Sequence, residues 1–144
     1  MFFFSKKSGI IFKEVRHLRI IITGFKPFMS HDVNPTEEII SILPGQIYGN
    51  EIIRLLLPVE FDNSFDVLKE AIIKYKPNVV IALGLAGNRK AISLERVAIN
   101  VDHSTAPDNI GNTPNHKTII KSGMNAYFST LPLDDIVLKL KQKN

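Results

Sequence analysis

Asn78-Val79-Val80-Ile81-Ala82-Leu83-Gly84-Leu85-Ala86-Gly87-Asn88-Arg89-Lys90-Ala91-Ile92-Ser93-Leu94-Glu95-Arg96-Val97-Ala98-Ile99-Asn100 opens on an apolar, β-branched run, breaks at a glycine-rich turn and resumes as an extended stretch carrying one carboxylate, Glu95. Asn78 to Leu83 has the length and composition of a buried strand. A glycine-rich turn directly after such a strand is where open α/β sheets build their sites. A carboxylate set among apolar residues there needs a partner, because an unpaired charge is costly away from water.

Working outward, strands and helices alternate. Leu18 to Thr23 (LRIIIT) is a β-branched run ended by Gly24, the pattern of a buried strand feeding a loop. Asn34-Pro35-Thr36-Glu37 marks a helix start: Asn34 caps, Pro35 fills the first helical position where its missing N–H costs nothing, and Glu37 takes the capping-box position. This helix is expected to end near Leu43, before Pro44-Gly45. Glu51 to Leu57 (EIIRLLL) is a second strand, closed by Pro58. Phe61, Phe65, Leu68, Ile72 and Tyr75 recur at helical spacing, which predicts an amphipathic helix over 61–76 that Pro77 ends. Ile92 to Val101 is extended in character, and Asp102 to His116 is a polar loop too long for a simple connection. Pro132 to Lys143 patterns as a last helix, with Leu133, Ile136, Val137 and Leu140 on one face. Helices alternating with apolar strands predict parallel βαβ units. Right-handed crossovers then bring the turns after Thr23 and Leu83 to the same edge of the sheet.

Composition narrows the class of function. The 144 residues are 44% hydrophobic and 22% charged, ordinary for one globular domain or part of one. The formal charge of +4 is held entirely by Met1 to Arg19, where Lys6, Lys7, Lys13, Arg16 and Arg19 face only Glu14. From Ile20 onward cations and anions balance, so net charge gives no case for a nucleic-acid partner. No apolar stretch approaches the ~18 residues of a membrane span, and Phe2-Phe3-Phe4 is too short for a signal sequence, which favours a cytoplasmic protein. Residues 1–17 show no clear period and read as a poorly ordered extension to a single domain over 18–144. The absence of cysteine removes disulfides, thiolate metal sites and any thiol nucleophile from these residues.

Thr23-Gly24-Phe25-Lys26-Pro27-Phe28, Asn34-Pro35-Thr36, the Gly84 to Asn100 run, Ala106-Pro107-Asp108-Asn109 and Ala126-Tyr127-Phe128-Ser129-Thr130-Leu131-Pro132 occur in this order. Together they resemble the N-terminal part of the pyroglutamyl peptidase I (pyrrolidone-carboxylate peptidase) family, over Leu18 to the C-terminus. The resemblance implies an α/β fold, a three-layer α/β/α sandwich with a mostly parallel sheet. Because no strand follows the last helix, that sandwich is expected to be truncated at its C-terminus. It also implies a cysteine peptidase that removes N-terminal pyroglutamate from peptides with a Cys-His-Glu triad and no cofactor. The thiolate attacks the amide, the imidazole exchanges its proton, and the glutamate orients the imidazole.

On that resemblance Glu95 is the orienting carboxylate, buried beside the imidazole, and Arg89 is a cation that supports a developing oxyanion. Phe25, Phe28, Leu85 and Asn34 form the substrate-binding set, the two aromatics enclosing the lactam ring. Read from the residues alone, Glu95 has a second interpretation, a structural pairing with Arg96 or Arg89, and the phenylalanines have one as loop packing. Three positions depart from the family: Met29-Ser30 stands where Gly-Gly is common, and Leu85 where many members carry glutamine.

The family's cysteine and histidine have no counterpart here. The serines lack a G-x-S-x-G elbow. His17, His31, His103 and His116 read as ordinary solvated histidines, and Asp102-His103 and His31-Asp32 lack the ligand spacing of a metal site. No G-x-G-x-x-G follows the first strand, so a dinucleotide site is not expected. The chain is therefore expected to be inactive alone. Its expected partners are a complementing chain that supplies the cysteine and histidine, or further copies of itself. A relic without function and a non-catalytic lactam-binding module are the other readings.

Overall fold

In the computed structural model, residues 17–28 and 32–142 are described. Residues 1–16, Met29, Ser30, His31, Lys143 and Asn144 lie outside them, and with them most of the expected extension, the Met29-Ser30 departure, one candidate histidine and the end of the expected last helix.

The β-branched runs form the sheet. Strands β1 (Arg19–Phe25), β3 (Asn50–Leu57) and β4 (Val79–Ala82) pair in parallel, with β1 in the middle; the short β2 (Gln46–Ile47) adds antiparallel to β3. The order is β2-β3-β1-β4. Helix α1 (Pro35–Ile42) starts where the capping residues put it: Asn34 is extended (φ −116°), its Oδ1 accepts from Thr36 N, and Leu43 ends the helix ahead of Pro44. Helix α2 (Asn63–Tyr75) begins two residues later than the periodicity suggested, because Asp62 sits at φ 64°, a non-helical conformation.

Register fixes what each face buries. Ile21 aligns with Ile53 and Val80 on one face, and Ile20 with Ile52 and Val79 on the other. Side-chain contacts assign the helices to these faces. A Cβ on Gly24 would meet Thr36 and Ile40, so the Ile20, Ile22 and Gly24 face lies under α1. Arg54, aligned with Ile22, agrees by donating to Leu43 O at the end of α1. Arg19 belongs to the opposite face, and its guanidinium donates to Tyr75 O at the end of α2. Two helices on opposite sides of one sheet make the three layers, as right-handed crossovers require when the strand order reverses after β3. Ile21, Ile40, Ile52, Leu57 and Ala71 form the buried core of this part.

Beyond β4 the chain is looser. The expected extended stretch is two short strands, β5 (Val97–Ile99) and β6 (Val101–Asp102). They pair with β8 (Ala126–Phe128) and β7 (Lys117–Thr118) in two antiparallel ribbons. Helix α3 (Leu133–Lys141) follows. After β4, only Asn100 and Leu133 are buried among the described residues. Val97, Ile99 and Phe128 share one ribbon face and stand 42%, 64% and 73% exposed. Asn100 is the organising residue here: its amide donates to Ile120 O and accepts from Ile120 N, both at 2.8 Å, which fixes the loop between the ribbons.

Candidate active site

The carboxyl ends of β1, β3 and β4 converge at one edge, where Leu83 N donates to Thr23 O (3.1 Å) and Lys26 N to Leu57 O (3.0 Å). Phe25 ends β1, Phe28 follows in the loop after it, and the loop after β4 carries Leu85, so these three stand at the exits of adjacent strands. Both phenylalanines are half-buried, and Leu85 is 38% exposed.

A buried polar network shapes the Phe25–Phe28 loop. Phe25 N donates to Thr36 Oγ1 (2.8 Å), and that hydroxyl donates to Asn34 Oδ1 (2.9 Å). Asn34 Nδ2 donates in turn to Lys26 O (3.1 Å). Buried polar groups this fully bonded hold one conformation, since freeing any of them leaves another unsatisfied. Asn34, expected in the substrate-binding set, is a member of this network. Its side chain is buried, at 1% exposure, and bonded to Lys26 O and Thr36 N.

Glu95 also differs from expectation. Its side chain is 71% exposed, in an irregular segment between β4 and β5, because nothing among the described residues packs over it. Arg89 Nη1 donates to its Oε1 at 2.5 Å. The pairing with Arg89, read above as the structural alternative, is therefore present. Arg96 is turned elsewhere, to Asp134 on α3 (2.8 Å). Among the described residues Glu95 Oε2 takes no hydrogen bond, which leaves it open to a further donor.

Sequence reading missed what the Ala106-Pro107-Asp108-Asn109 segment does. The Asp108 carboxylate accepts from the N–H groups of Phe61 (2.8 Å), Ile110 (3.0 Å) and Asn112 (2.8 Å) and from the Asn112 amide (3.1 Å). Desolvation pushes its acidity toward higher pH, but these donors outweigh it and hold Asp108 below the ordinary carboxylate value. Next to it, Asn109 N donates to Val59 O (3.0 Å) and Asn109 Nδ2 to Pro27 O (3.0 Å). The long polar loop is thus latched to both the β1 and β3 exits. A Pro-Asp-Asn turn is a local signal, but partners 47 and 82 positions away leave none.

The remaining candidates lie apart from this edge. His103 and His116 stack ring on ring (4.1 Å, 15°) at the mouth of the β6–β7 ribbon. Beside them Lys117 Nζ meets Asp62 (2.6 Å), a hydrogen bond that raises the lysine's value. Burial, with the Asp62 charge adding, raises Asp102. No group of three or more His, Asp or Glu side chains positioned for a metal occurs among the described residues. His17 Nδ1 lies 2.7 Å from Gly49 O, which ties it to the β2–β3 turn. An open hollow of about 880 Å³ occupies the amino edge of the sheet, lined by Arg19, Glu51, Lys76 and Asn78, at the opposite end from the candidate site. No described helix is long and apolar enough to cross a membrane.

Known proteins are similar to this chain in sequence and fold. The pyroglutamyl peptidase sequence family matches residues 18–144. The chain is 45% identical over 124 residues to a pyrrolidone-carboxylate peptidase of Thermosipho africanus, covering 86% of this chain and 60% of that protein. It is 44% identical over 125 residues to the enzyme so named in Thermococcus onnurineus, covering 87% and 62%. A mutant pyrrolidone carboxyl peptidase from Pyrococcus furiosus superposes with a TM-score of 0.85 at 38% identity, over 88% of this chain and 61% of that one. Pyroglutamyl peptidase I from Bacillus amyloliquefaciens gives 0.85 at 38%, over 90% and 62%. The chain therefore spans about 60% of the length of the relatives it matches. With both the family match over 18–144 and the shared α/β/α fold, the chain belongs to the pyroglutamyl peptidase family.

Proposed function

We propose that these residues form the lactam-enclosing and imidazole-orienting part of a pyroglutamyl peptidase. Removal of an N-terminal pyroglutamyl residue then requires a thiol and an imidazole from residues outside these 144. Phe25 and Phe28, with Leu85 beside them, enclose the flat, uncharged lactam, for which apolar walls are suited. Arg89 holds Oε1 of Glu95, and the free Oε2 accepts the N–H of the incoming imidazole, fixing its tautomer and stabilising the imidazolium that forms when it takes the thiol proton.

The observation that carries this reading is the half-engaged carboxylate. Glu95 is already oriented by a cation yet keeps one oxygen unbonded among the described residues, and the sequence contains no cysteine to complete a nucleophile. A merely structural ion pair, at 52% and 71% side-chain exposure, would contribute at most about 1 kcal/mol.

The test is hydrolysis of a pyroglutamyl amide with a fluorescent amine. The chain alone is expected to release none. Mixing it with a polypeptide spanning the part of a relative outside the match is expected to restore release, and Glu95→Gln to abolish it. Turnover by the chain alone, or full turnover by the Glu95→Gln mixture, overturns the proposal.

A further inference from the structure

We infer that Asn109 is a positioning residue for the aromatic pair, one half of a two-asparagine clamp on the peptide between Phe25 and Phe28. This rests on the reading that these aromatics enclose the lactam. Between the two phenylalanines, successive carbonyls are held by different elements: Lys26 O by Asn34 Nδ2 at 3.1 Å and Pro27 O by Asn109 Nδ2 at 3.0 Å. The preceding N–H groups are held as well, Phe25 N by Thr36 Oγ1 (2.8 Å) and Lys26 N by Leu57 O (3.0 Å). Pro27 has no N–H to satisfy and restricts its own φ. Three of these anchors come from β3 and the start of α1. Asn109 alone comes from the 104–116 loop, and its bond lies on the carbonyl nearest Phe28.

The side chain and backbone of Asn109 do separate jobs. Its N–H docks the loop on Val59 O, and Asp108 docks it on Phe61 N; neither bond involves the Asn109 amide. Removing that amide therefore frees Pro27 O while the loop stays attached. The peptide before Phe28 loses this anchor, and the Phe25–Phe28 loop samples more conformations. A lactam then meets an aromatic pair that it must order on binding, which weakens affinity without a lost contact.

The experiment uses the 144-residue chain with ring-labelled phenylalanine, pyroglutamate as the probe and ligand-detected magnetic resonance for affinity. Asn109→Ala is expected to shift and broaden the Phe25 and Phe28 ring signals and to weaken pyroglutamate binding by about three- to tenfold, the range one net hydrogen bond spans. Asn109→Asp, which keeps the shape and loses the donor, is expected to do the same, and serves if the alanine variant does not fold. Asn112→Ala is the control, because the Asn112 amide bonds Asp108 and not the aromatic loop. Unchanged ring signals in both Asn109 variants overturn the inference, as does an equal effect from Asn112→Ala. If the unsubstituted chain binds no pyroglutamate, the lactam reading of the aromatics fails, and the ring signals alone still decide the clamp.

Discussion

Gly24 is the residue at which the framework of the site is most exposed to a single methyl group. It lies in β1 directly under the first turn of α1. A Cβ there would stand 2.5 Å from Thr36 O, 2.7 Å from Ile40 Cγ1 and 2.9 Å from Thr36 C. Two of these three atoms are helix backbone, so no rotamer change relieves the clash and α1 itself must lift. Overpacking of a core costs about 1–3 kcal/mol, and a backbone obstacle puts this site at the upper end. Lifting α1 also stretches the Phe25 N to Thr36 Oγ1 bond, worth about 1 kcal/mol. Against this, alanine restricts the unfolded chain and returns about 0.4–1 kcal/mol. The net loss for Gly24→Ala is about 3 kcal/mol, or a fall in Tm of roughly 10 °C for a domain of this size. Gly84→Ala is the matched control: nothing lies within 4 Å of its Cβ position, so only the entropic gain applies and stability holds or rises slightly. Thermal melts of both variants followed by circular dichroism make the comparison. A Gly24→Ala melt within about 2 °C of the parent would refute the account of how β1 and α1 meet.

Two further outcomes follow from the same coordinates. Thr23 is fully buried and its Oγ1 has no hydrogen-bond partner among the described residues, so Thr23→Val, of nearly the same shape, is expected to raise stability by about 1 kcal/mol. A lowered urea midpoint would show that the hydroxyl is held after all. Asp108 has a folded value below its unfolded one, so its contribution to stability is present above the unfolded value of about 4 and is lost as pH falls through the lower, folded value. Asp108→Asn is therefore expected to be less stable than the parent at neutral pH, with the gap closing in acid. A gap of constant size across the acid range would remove the carboxylate charge from the explanation.

What the sequence disclosed depended on the range of the signal. LRIIIT, EIIRLLL and NVVIAL each announced a strand, though β4 is only half-buried where a buried strand was expected, and parallel pairing followed from the helices between them. Asn34-Pro35 disclosed the start of α1 to the residue, because capping is a relation between neighbours. The β2–β3 hairpin went unread. Its turn places Tyr48 (φ 48°) and Gly49 (φ 77°) in left-handed conformations, and tyrosine at the first of them hides the usual Asn-Gly signature. The pairing of 97–99 with 126–128 has no local mark at all. The family resemblance pointed to Phe25, Phe28, Arg89 and Glu95, whereas the bonds of Asn34 within the loop and of Asn109 to Pro27 emerge only in the folded chain.

The two parts of the candidate site are built to different standards, and this bears on how the function is divided. Phe25 and Phe28 stand on a loop whose intervening backbone is anchored from α1, β3 and the 104–116 loop, all within the described residues, so the aromatic part is organised before any ligand arrives. Glu95 stands in an irregular segment, exposed, with one cation on one oxygen. A carboxylate that must hold an imidazole within a narrow range of angles gains little from such a mounting in water, where its bond to Arg89 is screened. Covering the exposed Val97, Ile99 and Phe128 face would remove water from the neighbourhood of the same segment and strengthen that ion pair. On the proposed reading, the mounting of the aromatic pair lies within these residues, whereas the orienting strength of Glu95 depends on what packs against the segment that bears it.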